Sequence, residues 1–437
     1  MAELSLKTSP GLKILVIGAL IFVLVIPTFM IQFLIDERES RSNEAVDEIG
    51  SKWGRVQTVA GPVLTVPISK TITDRQGALK NLYYNFHLLP DSFTANAVVT
   101  PEIRYRGLYE VVVYNTMITL TGSFSPGDQV ADFDNYDFLF DKAYVSLGIS
   151  DMKGIQDLIQ IKWNNKNYTA QPGLPTGEVL NSGVNAIVEI DQKKENIFSI
   201  TINLNGSGGL FFIPVGKESK TDIKSSWKNP GFTGEFLPDQ REITDAGFTA
   251  SWKILYLNRN FPQKWIGNQF NINQSAYGVD LLLPVDHYQK TMRTSKYAVL
   301  FIGLTFLSFF LIEVLNKKNI HPIQYLFIGF ALVLFYTLLL SITEYSSFGF
   351  AYFIASAGTV IMISLYTKSI LQNIKYSLII SAILIILYGY LYVILQLQDY
   401  ALLLGSLALF VILGIIMYLT RKIDWFNISK PKIESKP

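Results

Sequence analysis

Two carboxylates stand where a bilayer makes charge expensive. Glu313 lies near the end of one apolar run and Glu344 just beyond the end of another. An ionised group in lipid is stable only when it is paired or hydrated, so both are candidates for handling an ion or a proton. Each also has a structural reading: Glu313 pairs with Lys317 at i,i+4 spacing, and Glu344 is a solvated helix end. Arg241, after Phe236-Leu237-Pro238, could hold an anionic ligand or brace a loop through backbone carbonyls. The three histidines, His87, His287 and His321, are too scattered to form a metal cluster by spacing, although folding could bring His87 and His287 together. Nucleophile elbows, His-Glu-x-x-His and phosphate loops are missing, and Gly206-Ser207-Gly208-Gly209 reads as a tight turn between strands. The absence of cysteine removes disulfides, thiol nucleophiles and cysteine-ligated zinc. A protein that is not an enzyme and carries no metal or cofactor is the expectation.

The elements that carry the two carboxylates are membrane spans. Of 437 residues, 49% are hydrophobic and 16% charged, against roughly 25% charged in an ordinary soluble domain. The net charge of +2 and the lack of any basic run exclude a nucleic-acid partner. A helix needs about 20 apolar residues to cross the hydrocarbon core, and six runs qualify: 12–35, 297–315, 323–342, 350–366, 376–395 and 401–419. The first has no small-x-small cleavage pattern after it and reads as an uncleaved signal anchor. Pro27 inside it predicts a kink.

Lysine and arginine orient the spans, because cationic flanks resist translocation. Lys7 and Lys13, Lys317 and Lys318, Lys368 and Lys375, and Arg421 and Lys422 mark four cytoplasmic segments, whereas the loops holding Glu344 and Asp399 carry no cation. This places both termini, 1–11 and 420–437, in the cytoplasm. Region 36–296 then lies in the periplasm and a five-helix bundle spans 297–419. Ala351 and Ala355, and Ala401 and Gly405, are small pairs suited to close helix packing. Tyr388, Tyr390 and Tyr392 are scattered around their helix by two-residue spacing.

Within 36–296 the period changes from helix to strand. Val46, Ile49 and Trp53 recur at helical spacing and predict a short juxtamembrane continuation of the first span. Alternating runs at 62–66, 82–88, 108–114, 118–124, 142–149, 186–190, 198–204, 248–256 and 277–283 predict about ten strands. Gln76-Gly77, Pro126-Gly127 and Asn205-Gly206 supply the turns. Without long helical patterns to act as crossovers, an all-β, sandwich-like antiparallel domain is expected.

Several segments carry a resemblance. Ile26-Pro27, Met30-Ile31 and Glu37-Arg38 fall in and after the first span, followed by Gly61-Pro62-Val63-Leu64, Leu89-Pro90-Asp91-Ser92, Arg106-Gly107 with Tyr109-Glu110-Val111, and Phe236-Leu237-Pro238 with Arg241. Nearer the membrane come Pro284-Val285-Asp286 with Tyr288, Lys296-Tyr297-Ala298, His321-Pro322 with Gln324-Tyr325-Leu326, and the closing Thr420-Arg421-Lys422-Ile423-Asp424-Trp425. The chain resembles the CreD family of inner-membrane, cell-envelope-integrity proteins across nearly its whole length. Tyr345 departs from the pattern, which has histidine there in many members, so a role requiring that histidine is not carried over. The resemblance implies an envelope role, often beside a two-component signalling system, and implies no particular biochemical activity.

Two functions fit. One is envelope maintenance or stress response, with a periplasmic β domain binding a partner or envelope component and the helices anchoring it in the lipid bilayer. The other is a transporter or channel for an envelope-related small molecule; scarce mid-bilayer charge and the lack of paired broken helices weigh against it.

Overall fold

The computed structural model describes residues 10–73, 78–130, 133, 135–283, 287–316, 318–397 and 400–421. The chain divides into a helical unit, 1–41 with 285–437, and a β unit, 42–284. Among the described residues six helices are long and apolar enough to cross a membrane, one near the N-terminus and five near the C-terminus.

Helix α1 (Pro10–Trp53) continues far beyond the apolar run, as the spacing of Val46, Ile49 and Trp53 predicts. Its face in the helical unit is a stripe of Leu24, Thr28, Ile31 and Ile35, all buried, at the 3–4 spacing that lines one side of a helix. Pro27 stands inside the helix without ending it.

The β unit buries one core between two sheets. The ten-stranded sheet runs β14 (Pro230–Gly234), β18 (Tyr277–Leu281), β12 (Gly209–Phe212), β1 (Gln57–Thr73), β6 (Tyr144–Ile149), β10 (Gly183–Ile187) and β9 (Gln171–Pro172). Off this path, β2 (Leu79–Leu88) and β5 (Asp137–Phe138) pair with β1, and β17 (Lys264–Ile266) pairs with β2. The eight-stranded sheet runs β15 (Gln240–Thr244), β16 (Gly247–Leu255), β13 (Glu218–Ser225), β3 (Ser92–Arg106), β4 (Tyr109–Phe124), β11 (Asn196–Ser207), β7 (Gln160–Trp163) and β8 (Lys166–Thr169). The all-β, two-sheet architecture matches the sequence reading. The sheets are mixed, however: β1 pairs with β12, and β13 with β3, in parallel. In each case the intervening strands themselves form the long connection that parallel pairing needs, a route that helix patterns alone do not reveal.

Two predicted turns take other forms. Asn205 and Gly206 continue β11, and the chain turns at Gly208, whose φ of +74° suits glycine. There it leaves one sheet and enters the other at β12. Pro126-Gly127 opens a short helix, α2 (Pro126–Val130), and Gln76-Gly77 lies outside the described residues.

In the helical unit, α3 (His287–Lys296) precedes α4 (Ala298–Leu315), α5 (Pro322–Thr343), α6 (Phe348–Leu371), α7 (Ile374–Gln396) and α8 (Ala401–Thr420). The core joins the α1 stripe to Phe301, Phe306, Leu332, Phe335, Tyr336 and Tyr388. Contact between α1 and α5 is close at Gly329, where an added Cβ would lie 2.1 Å from Leu24 Cδ1. Ala351 and Ala355 are buried in α6, as small packing residues should be. Gly405, by contrast, has nothing within 4 Å of an added Cβ, so α8 makes no close small-residue contact there.

Candidate functional site

Glu313 sits in the last turns of α4, buried at 3% exposure. The predicted partner Lys317 lies outside the described residues; the partner observed is Lys13, near the start of α1. Tyr325, in the first turns of α5, donates its hydroxyl to Glu313 Oε2 at 3.0 Å, and the Ile320 backbone N–H donates to Oε1 at 3.1 Å. Three donors on one carboxylate are what a charge withdrawn from water requires. His321 acts locally, as a helix cap. Its Nδ1 accepts from Ile323 N and Gln324 Oε1 accepts from His321 N, a reciprocal arrangement with Pro322 opening α5.

Glu344 caps the C-terminus of α5, where the helix dipole disfavours a carboxylate. Arg38 of α1 answers it, with Nε 3.6 Å from Oε1 and the Glu344 side chain 11% exposed. The solvated helix end expected for Glu344 is therefore a shielded, paired one. Lys13 and Arg38 bracket the buried stripe of α1; 25 residues at 1.5 Å each separate them by about 38 Å, somewhat more than the roughly 30 Å hydrocarbon core. The two acids flank the 22 residues of α5 and form no common site.

Sequence reasoning missed Lys13 and Arg38 as partners. A signal existed: Lys13 stands inside the first apolar run and Arg38 just beyond it, so α1 carries two cations as costly in lipid as the acids they meet.

In the β unit, His87 is fully buried on β2, directly across from Thr65 on β1. Thr65 Oγ1 is 3.0 Å from His87 Nδ1, and Glu178 Oε2, on the loop before β10, is 2.9 Å from Nε2. With Glu178 ionised, Nε2–H donates to it and Nδ1 accepts from Thr65. Asn85 also donates to Glu178 at 3.0 Å, and the Trp265 ring lies 5.7 Å from the imidazole. Burial holds the His87 pKa below the usual histidine range, and the hydrogen bond and charge of Glu178 oppose that only in part. Tyr144, across from Thr65 on β6, is pushed up to about 12 by burial. Thr65 is only 2% exposed, so this chain of hydrogen bonds fastens β1, β2 and one loop together. His287 belongs to the other unit, at the start of α3. Among the described residues no group of three histidine, aspartate or glutamate side chains could hold a metal ion.

Arg241 lies on the exposed edge strand β15. Its guanidinium lies 5.9 Å from the centre of the Phe232 ring on β14, and among the described residues it donates to no backbone carbonyl. Where α1 ends, Trp53 donates to Tyr114 O at 3.3 Å and lies under Arg104, 3.6 Å from ring centre to guanidinium. Glu48, hydrogen-bonded by Lys52 and Arg106, has its carboxyl held below the usual range.

The family model described as inner membrane protein CreD matches residues 9–426, across both units. The chain belongs to the CreD family. It is 32% identical over 424 residues to the inner membrane protein CreD of Escherichia coli (strain K12), covering 95% of this chain and 93% of that one. With six apolar helices among the described residues, this CreD-family chain is a multi-pass inner-membrane protein.

Proposed function

We propose that this CreD-family protein maintains the cell envelope or answers envelope stress without catalysing a reaction. Its β unit, exposed to the periplasm, binds a protein partner or envelope component, and its helices anchor that unit with both termini in the cytoplasm. A two-component signalling system is the partner class expected on the cytoplasmic side. The observation that supports an anchor over a coupled transporter is the state of Glu313 and Glu344: each is already held by a cation of α1, Lys13 or Arg38. A carboxylate that carries an ion or proton through a transport cycle must instead be free to change partners.

The test is the detergent and dye permeability of cells lacking the protein, complemented with the wild-type chain, Glu313→Gln or Glu344→Gln, each checked for expression and insertion. The expected result is a leaky envelope restored to wild-type tightness by all three. A well-inserted glutamine variant that fails to restore it would favour ion-coupled transport. Orientation is checked separately with alkaline phosphatase fusions, expected to be active after Gly107 and Ser346 and inactive after Lys368.

A further inference from the structure

Helices α6 and α7 enclose an apolar groove of about 650 Å³, lined by Gly349, Ser356, Ala357, Tyr388, Gly389 and Tyr392 among others. From Gly349 to Ile361 it follows α6 for 12 residues, about 18 Å at 1.5 Å per residue. That is close to the depth of one leaflet, half of a roughly 30 Å hydrocarbon core. On its floor Tyr352 donates its hydroxyl to Tyr388 O at 2.7 Å. The end nearest the membrane surface differs. The half-buried Tyr392 hydroxyl stands beside Gly349 and has no hydrogen-bond partner among the described residues.

Charge gathers at the same end. Helix α3 carries Lys290, Arg293 and Lys296, none paired with a carboxylate among the described residues. Lys290 lies 5.7 Å from the centre of the Phe348 ring, which packs at 6.0 Å against Tyr352 of the groove. A cationic helix at the surface end of a leaflet-deep apolar groove is complementary to a molecule with a negative head and a long hydrocarbon tail.

We propose that the α6–α7 groove holds one acyl chain of an anionic phospholipid, with the lipid phosphate at Lys290 and the Tyr392 hydroxyl. The small residues Gly349, Ala357 and Gly389 leave the width for the chain. The remaining α3 cations hold the negative surface around it.

The full chain, purified in mild detergent and offered phosphatidylglycerol or phosphatidylcholine, is assayed for retained lipid by native mass spectrometry. Wild type is expected to retain phosphatidylglycerol in preference, by about fivefold for each cation engaged. Lys290→Gln should reduce that preference by about fivefold. Gly389→Leu fills the groove, and an added Cβ there meets nothing within 4 Å, so the helices stay packed and retention of both lipids should be lost. The proposal is overturned if wild type retains the two lipids equally, or if either variant keeps phosphatidylglycerol as wild type does. It is equally overturned if the groove is filled by a second copy, seen as a lipid-free dimer that Gly389→Leu separates.

Discussion

Lys13 and Glu313 share a charge pair unequally, with side-chain exposures of 20% and 3%. Lys13 can swing its long side chain toward water when its partner is lost, whereas Glu313 cannot. Lys13→Met should therefore cost about 3–5 kcal/mol, the range for a buried charge stripped of its partner. Glu313→Gln should cost distinctly less, and adding it to Lys13→Met should recover most of the loss; equal single-variant losses in unfolding from detergent would contradict this asymmetry. His87 titrates in the opposite direction from a salt-bridged histidine. Its folded pKa lies below the unfolded 6.5, so the folded state binds fewer protons; stability is full above pH 6.5 and falls as pH drops through the folded value. Tryptophan fluorescence melts should show an acid loss below about pH 6.5 that His87→Gln abolishes. The acids at the membrane ends were legible in the sequence because charge beside apolar runs is conspicuous. Their partners were not, since pairing over 300 residues leaves no local spacing. Glu178 was hidden for the same reason: only the fold brings its loop to His87.

At the level of elements, the helices built on apolar runs were readable to within about five residues at every end except the far end of α1, because lipid imposes a length as well as a composition. Strands were readable where large apolar residues alternate. They were not in β13, whose buried face is Ser219, Thr221, Ile223 and Ser225, small groups satisfied internally, as in the 2.6 Å contact of Thr221 Oγ1 with Tyr277 Oη. The two runs 108–114 and 118–124 are a single strand, β4, through the buried Thr116. Helix α3 escaped for a similar reason, its buried residues being Thr291, Thr294 and Ser295. Packing of α1 on α5 depends on a missing side chain: Gly329→Leu must displace Leu24 and cost about 1–3 kcal/mol by overpacking. The check is the midpoint of thermal unfolding, with an unchanged value refuting that close contact.

For the whole molecule, the long insertion between the first span and the other five sets the order in which its contacts can form. Lys13 leaves the ribosome 300 residues before Glu313, an interval of roughly 15–60 s at about 5–20 residues per second. Throughout it Lys13 waits without Glu313, reaching water with its long side chain. Every chain thus passes through an electrically incomplete state that only the last third of translation ends. Prematurely terminated chains remain in it, without the Glu313 carboxylate that Lys13 meets in the finished protein. Pulse-chase of chains truncated before residue 298 should show faster turnover with Lys13 than with leucine at that position; equal lifetimes would mean that the wait is harmless.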